Sequence, residues 1–403
     1  MTPRPSGSPE FSGSLEPSVE APPTIVSRNS HFTPLDALRG IAAFAVVAFH
    51  MRYTESVKDL VAPVYWLARS GHLGVAMFFV ISGFCLGASA AASQRKGEST
   101  GSFLFRRLRR IYPPLWCSII FVICLPWLKY GAFKILGRAP QWPEPLFADF
   151  GFVDWFGTAS LLQVFRFPEM PVDDKFDKIN VVYWSLAIEV QFYLVMALLL
   201  QFRRWYYPGL VMITSLSVLA AWCPGFEGLR LNTGFFLRYW PMFAAGILVY
   251  ELRRRDITLQ RLISGRQALI LSKFLLFVVV SFAVGWIISG RRFTPDVFAM
   301  LTAITVWLLI LWEDDVIRRN PGRQSFWGRL FWPLSFLGLI SYSVYLIHFN
   351  LYKIPELILG PQRVAASPIL QFAITIVVCL LCYPFYLLCE RPFLTSSKSP
   401  KVS

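Results

Sequence analysis

Charge is what this sequence has least of. Asp, Glu, Lys and Arg make up 16% of its 403 residues, where an ordinary soluble protein carries about 25%. That scarcity excludes a soluble enzyme of this length, and a mean hydropathy of +0.51 with repeated long apolar runs points to a polytopic membrane protein. Histidine is rare as well, with four residues in the chain. Seven cysteines (Cys85, Cys117, Cys124, Cys223, Cys379, Cys382 and Cys389) all lie within or at the edge of apolar runs. They show neither metal-ligand spacing nor a disulfide framework, so they read as packing residues, and neither a metal nor a bound cofactor is expected. The first 30 residues lack the apolar core and cleavage pattern of a signal peptide. Polar and rich in Pro and Ser, they read as a disordered tail.

Positive charge is what the chain has in excess, a formal +15. In a soluble protein this would suggest nucleic acid; here the basic residues gather at the ends of apolar spans, where topology explains them and nucleic acid does not. Hydropathy places spans near residues 35–52, 72–92, 111–128, 183–200, 207–223, 235–252, 269–289, 296–312, 332–352 and 368–389. The expected fold is therefore an all-α polytopic membrane protein of about ten transmembrane helices. The Lys and Arg bias of the loops puts both termini in the cytoplasm. Residues 1–34 form a cytoplasmic tail, 35–390 the membrane domain and 391–403 a C-terminal tail. An amphipathic stretch, Val153 to Phe165, is too short to cross and reads as re-entrant or interfacial.

An ionisable group inside a span costs about 2.5 to 3.5 kcal/mol, so each one calls for a reason. "RGIAAFAVVAFH" brackets ten mostly apolar residues between Arg39 and His50. Eleven positions on an α-helix make three turns plus about 20° and a rise of about 16.5 Å, so the two ends share a face. Glu189 and His348 fall at a depth similar to that of His50, which predicts that the three meet in one outward-lying pocket. His50 is the expected general base and Glu189 the group that orients it. Ser82, Tyr345 and His348 are expected to line the pocket. The competing reading for each is a hydrogen bond across helices, and for His348 it weighs as much as function.

At the other surface, "FLFRRLRRIYPP" sets Arg106, Arg107, Arg109 and Arg110 at the mouth of the third span. Guanidinium groups hold phosphates in bidentate fashion, although on the loop alone anchoring to acidic lipid is the better reading of such a cluster. Arg39 shifts the balance, because a plain anchor has little use for a cation inside the first span. Asp36, three positions earlier, partly neutralises it. In "GHLGVAMFFVISGF" the small residues Gly71, Gly74, Ser82 and Gly83 predict close helix packing.

"LDALRGIAAFAVVAFH", "GVAMFFVISGF", "RRLRRIYPP", "YWSLAIEVQFYL", "SYSVYLIH" and "ERPF" follow one another in the order and spacing of the integral-membrane acyltransferase-3 family, which the chain resembles from residue 34 to about 395. The resemblance implies transfer of an acyl group, usually acetyl, from cytoplasmic acyl-CoA to a hydroxyl on a carbohydrate or other acceptor. By motif match it makes His50 the essential histidine, Arg39 its partner, Arg107 and Arg110 the basic pair of an Arg-x-x-Arg motif, and Glu189 the acidic position after Trp-Ser-Leu. Ala76 stands where many relatives carry Asp. The form expected is a stand-alone one without an SGNH hydrolase-like domain, set in a bacterial inner membrane beside polysaccharide assembly or export machinery. Two other readings compete: a transporter of acyl groups or acylated small molecules that forms no ester, and a structural partner of a polysaccharide-export complex.

Overall fold

The computed structural model describes residues 34–51, 61–135, 137, 147–166, 179–222, 234–255, 294–319 and 329–394. Regular structure among them is helical throughout. A chain this apolar requires that, because in lipid each backbone N–H and C=O must be satisfied within its own segment. The expected N-terminal tail and the expected span at 269–289 lie outside the described residues, as do residues 395–403.

The first helix, α1, runs Pro34–His50, with proline at its start and Asp36 in its first turn, where both suit a helix N-terminus. A short α2 (Ala62–Arg69) leads through a 3₁₀ turn at Ser70–Leu73 into α3 (Gly74–Arg95). Then come α4 (Thr100–Ile135), α5 (Phe152–Ser160), α6 (Tyr183–Gln201), α7 (Tyr206–Trp222), α8 (Trp240–Arg254) and α9 (Pro295–Arg319). The last part holds α10 (Trp332–Leu339), α11 (Ser341–Leu351), the short α12 (Lys353–Leu359) and α13 (Pro361–Ala366), and α14 (Pro368–Leu381). Beyond α14 the chain stays helical to Phe393, passing through a π-helical turn at Tyr386–Glu390.

Five helical stretches are long and apolar enough to cross a membrane: Ala62–Arg95, Thr100–Ile135, Tyr183–Gln201, Pro295–Glu313 and Pro368–Phe393. There are six if α10 and α11 form one broken span. The expectation of ten is not reached among the described residues. At 17, 17 and 15 residues, α1, α7 and α8 rise about 22 to 26 Å against a hydrocarbon core of about 30 Å. Two further expectations need correction. The third span begins at Thr100, eleven residues before the expected 111, so the arginines lie within α4. The expected continuous span at 332–352 is bent by 79° between α10 and α11. The stretch from Val153 is a short helix followed by a 3₁₀ segment, Leu162–Arg166, with Phe152, Val153 and Phe156 exposed. Tyr112 and Trp116 of α4 tether it by donating to the Ser160 and Ala159 carbonyls.

Close backbone contact holds the centre together. α1 packs against α3, α9, α10, α11 and α14. A Cβ added to Gly40 would stand 2.0 Å from the Leu334 carbonyl oxygen, and one added to Gly338 1.8 Å from that of Asp36. Small residues let van der Waals contact do in lipid what water does in a soluble core. Beside this seam, α3, α6 and α8 share an aromatic cluster in which Phe192 and Phe243 stack with ring centres 4.3 Å apart. The break before α11 leaves helical N–H groups to be satisfied. Glu390, buried at the end of the π-helical turn, accepts from both the Ser343 backbone N–H (3.1 Å) and its hydroxyl (2.5 Å).

Candidate active site

α1, α3, α4, α6 and α11 enclose a cavity with about 800 Å³ not filled by protein atoms, part of it open to the surroundings. Three arginines line it: Arg39 from α1, and Arg107 and Arg110 from α4. Arg107 and Arg110 stand three residues apart on one face of α4. Pro113 and Pro114 follow within the same helix and deprive the Arg109 and Arg110 carbonyls of their usual i+4 donors. Tyr342 of α11 donates to the neighbouring Ile111 carbonyl at 2.8 Å. Arg39 reaches Asp36 at 4.0 Å and the Cys85 sulfur at 3.5 Å.

Glu189 is the acidic residue in the cavity wall. Its Oε1 accepts from Ser82 Oγ at 2.7 Å and from Tyr193 Oη at 2.6 Å. Tyr193 in turn lies under Arg107, whose guanidinium carbon is 5.9 Å from the ring centre. Further along, the wall is made by Val75, Phe78, Ser185 and Tyr345. Tyr345 donates its one proton to the Val182 carbonyl at 2.8 Å, so Ser185, 2.5 Å away, donates to the Tyr345 oxygen. Asn180 ties the start of α6 to α11 through the Leu346 carbonyl.

His50 and His348 stand together at the far end. Their ring centres are 5.2 Å apart, and the rings of Phe49 and Phe349 each lie 5.2 Å from that of His50. His348 follows Tyr345, the last wall residue of α11, by one turn, and it is fully buried.

Of the residues singled out in the sequence, Arg39, Arg107, Arg110, Ser82, Glu189 and Tyr345 come together around one cavity. The expectation that His50, Glu189 and His348 form one pocket takes another shape. The histidines pair with each other, while Glu189 joins the arginines. His348, expected in the wall, lies one turn beyond the wall residue Tyr345, with its Nδ1 turned back onto the Val344 and Tyr345 carbonyls. His72 is exposed, with its ring 5.4 Å from that of Phe49. Sequence reasoning missed Glu390, for which the one signal was its place in "ERPF".

Comparison with known proteins places the chain among acyltransferases. The chain is 28% identical over 375 residues to BcsY of Komagataeibacter xylinus, described by its name as a membrane-bound transacylase, covering 87% of this chain and 80% of that protein. It is 24% identical over 372 residues to the peptidoglycan O-acetyltransferase OatA of Listeria monocytogenes, covering 87% and 54%. It is also 24% identical over 343 residues to the O-acetyltransferase OatA of Staphylococcus aureus, covering 78% and 49%. The chain thus spans about half the length of these two O-acetyltransferases. No solved structure matches it. The family model described as an acyltransferase domain matches residues 33–387, and the chain, an integral membrane protein by its apolar helices, belongs to that family.

Proposed function

We propose that the protein is an O-acyltransferase that takes an acyl group, acetyl in the first instance, from cytoplasmic acyl-CoA and delivers it to a hydroxyl of a surface or exported polysaccharide. In this reading the membrane domain has about ten spans with both termini in the cytoplasm of a bacterial cell. The observation that supports it best is the cavity itself. Three arginines converge at one end, and its wall leads through Phe78 and Tyr345 toward the histidine pair. The pantetheine arm of CoA, about 15 to 20 Å, compares with the rise of about 16.5 Å from Arg39 to His50.

Arg39, Arg107 and Arg110 hold the phosphates in this proposal. His50 takes the proton of the acceptor hydroxyl as its oxygen bonds to the acyl carbon. The carbon–sulfur bond breaks, and CoA leaves with the proton that His50 returns. Glu189 holds Ser82 and Tyr193 in place beside the arginines, which replaces the orienting role toward His50 that its depth alone suggested. A covalent acyl-histidine relay fits the same residues and is separated from direct transfer by ping-pong kinetics. A transport reading calls for paired broken spans, whereas α10–α11 is the single bent pair among the described residues.

The test is transfer of label from acetyl-CoA into the glycan fraction of membranes holding equal folded protein. His50→Ala should abolish it. Arg107→Ala and Arg110→Ala should each raise the KM for acetyl-CoA about 10- to 100-fold, since a charge-assisted hydrogen bond is worth about 1.5 to 3 kcal/mol. Equal transfer by wild type and His50→Ala would overturn the proposal.

A further inference from the structure

His348 has a task that packing does not explain. Its Nδ1 lies 2.8 Å from the Val344 carbonyl oxygen and 3.1 Å from that of Tyr345. A carbonyl only accepts, so Nδ1 carries the proton and Nε2 is left with a lone pair. That Nε2 is buried without a hydrogen-bond partner. Native proteins leave few such atoms unsatisfied, and each one calls for a reason. The nearest ring is that of His50, centre to centre 5.2 Å. An imidazole nitrogen sits about 1.15 Å from its ring centre, so a turn of His50 that put both nitrogens on the line between the centres would bring them to about 2.9 Å, a hydrogen-bond distance.

We propose that His348 is the positioning residue for His50: its Nε2 accepts a hydrogen bond from the His50 ring when His50 turns to take a proton. The inference rests on the reading of His50 as the base. It gives His348 the orienting part that Glu189, bound by Ser82 and Tyr193, does not play. One His50 nitrogen receives the hydroxyl proton, and the opposite N–H points at His348. The bond stabilises the imidazolium and moves no proton of its own, since His348 is already protonated at Nδ1. Phe49 and Phe349, edge-on to His50, confine the ring to this motion. Other titratable or charged groups on the elements packed against this end of α1 are Tyr65 and Arg69 of α2, His72 of the 3₁₀ turn, Asp296 of α9 and Tyr345 of α11.

The experiment compares His348→Phe, which has no acceptor, with His348→Gln, whose side-chain amide reaches the Nε2 position. Full-length protein is used, with folded fraction measured by size exclusion, and kcat, KM and the pH–rate profile are recorded with acetyl-CoA as donor. His348→Phe should lose about 10- to 100-fold in kcat with KM for acetyl-CoA within about twofold of wild type. The acid limb of its kcat profile should move to lower pH, because an unsupported imidazolium forms less readily. His348→Gln should recover kcat to within about fivefold of wild type and restore the limb. Should His348→Phe fail to fold, His348→Asn replaces it; its amide sits at the Nδ1 position, so it must fail where Gln succeeds. Equal loss in both variants with an unmoved limb, or full activity in both, overturns the proposal. Full activity in His50→Ala overturns the base itself, and this inference with it.

Discussion

Gly83→Ala probes the seam on which the cavity depends. Gly83 of α3 lies against α8, where an added Cβ would stand 2.0 Å from the Phe243 carbonyl oxygen and 3.3 Å from Gly246 Cα. Real Cβ atoms essentially never come closer than 3.0 Å to a neighbour, so one helix must retreat by about 1 Å. The obstacle is backbone, which has no alternative rotamer to offer. Overpacking of this kind costs about 1 to 3 kcal/mol. The functional effect should be larger, because Ser82 is the neighbouring residue and its 2.7 Å bond to Glu189 does not survive a displacement of that size. A misplacement of about 1 Å costs on the order of 100-fold in rate where geometry matters. The assay is thermal unfolding in detergent together with acetyl transfer. Gly101→Ala is the control: apart from its own turn of helix, no described atom lies within 4 Å of its Cβ position, and alanine favours a helix over glycine by up to about 1 kcal/mol. Gly83→Ala should unfold at lower temperature and turn over slowly, while Gly101→Ala matches or exceeds wild type. A Gly83→Ala protein with wild-type stability and rate would refute the close approach of α3 and α8.

Between α3 and α4, Glu98 accepts from Ser93 at 2.8 Å and from Arg106 at 2.5 Å, and the hydroxyl first and the guanidinium second hold its carboxyl below the usual 4.5. A carboxyl depressed by folding adds stability above its ordinary range and loses it as pH falls through the folded value. Wild type should therefore melt above Glu98→Gln at pH 7, with the gap closing from about pH 5 downward; a gap that persists at the acid end would sink the assignment. Glu390→Ala should cost about 1 to 3 kcal/mol, since it leaves the Ser343 N–H and hydroxyl buried without an acceptor, whereas Glu390→Gln keeps a carbonyl there and costs less. Identical melting of the two Glu390 variants would show that Ser343 finds other partners.

What the sequence disclosed about the site followed from periodicity and from the cost of charge in lipid. Arg39 and His50 share a helix, so their spacing needed no tertiary knowledge. Gly71, Gly74 and Gly83 announced close packing, and each meets backbone or a Cβ within 3.0 Å of where its own Cβ would be. Arg107 and Arg110 were visible as a pair, and it was Arg39 inside the first span that set them apart from a plain lipid anchor. Depth was harder to read. Hydropathy put the start of α4 where its apolar run begins, but the helix starts eleven residues earlier, through "TGSFLFRRLRR", and Arg106 there is held by Ser93 and Glu98. The bend before α11 was hidden for a related reason: "LGLISYSVYL" is apolar enough to read as one span. The group that satisfies its new N-terminus, Glu390, lies 47 residues beyond Ser343.

The charge balance of the cavity makes the anion-binding reading stronger than any single residue does. Three arginines line it against one glutamate, leaving two positive charges in excess among the wall residues. Both hydrogen bonds from Ser82 and Tyr193 fall on one oxygen of that glutamate, Oε1, so neutral donors hold that side of the carboxylate. A protein that needed only to pack its helices would replace such a cluster with apolar side chains, because burying unpaired cations is costly and an isosteric apolar core is often more stable. Outside the wall, Asp36 at 4.0 Å from Arg39 and the buried Glu390, whose charge acts on Arg110 and Arg39, offset part of this excess. The remaining positive charge is compensated once a polyanionic head occupies the arginine end, and in the proposed reaction the phosphates of acyl-CoA supply it while the thioester extends toward His50. Binding and catalysis are then separable along the length of α1, so arginine variants should act on KM and histidine variants on kcat.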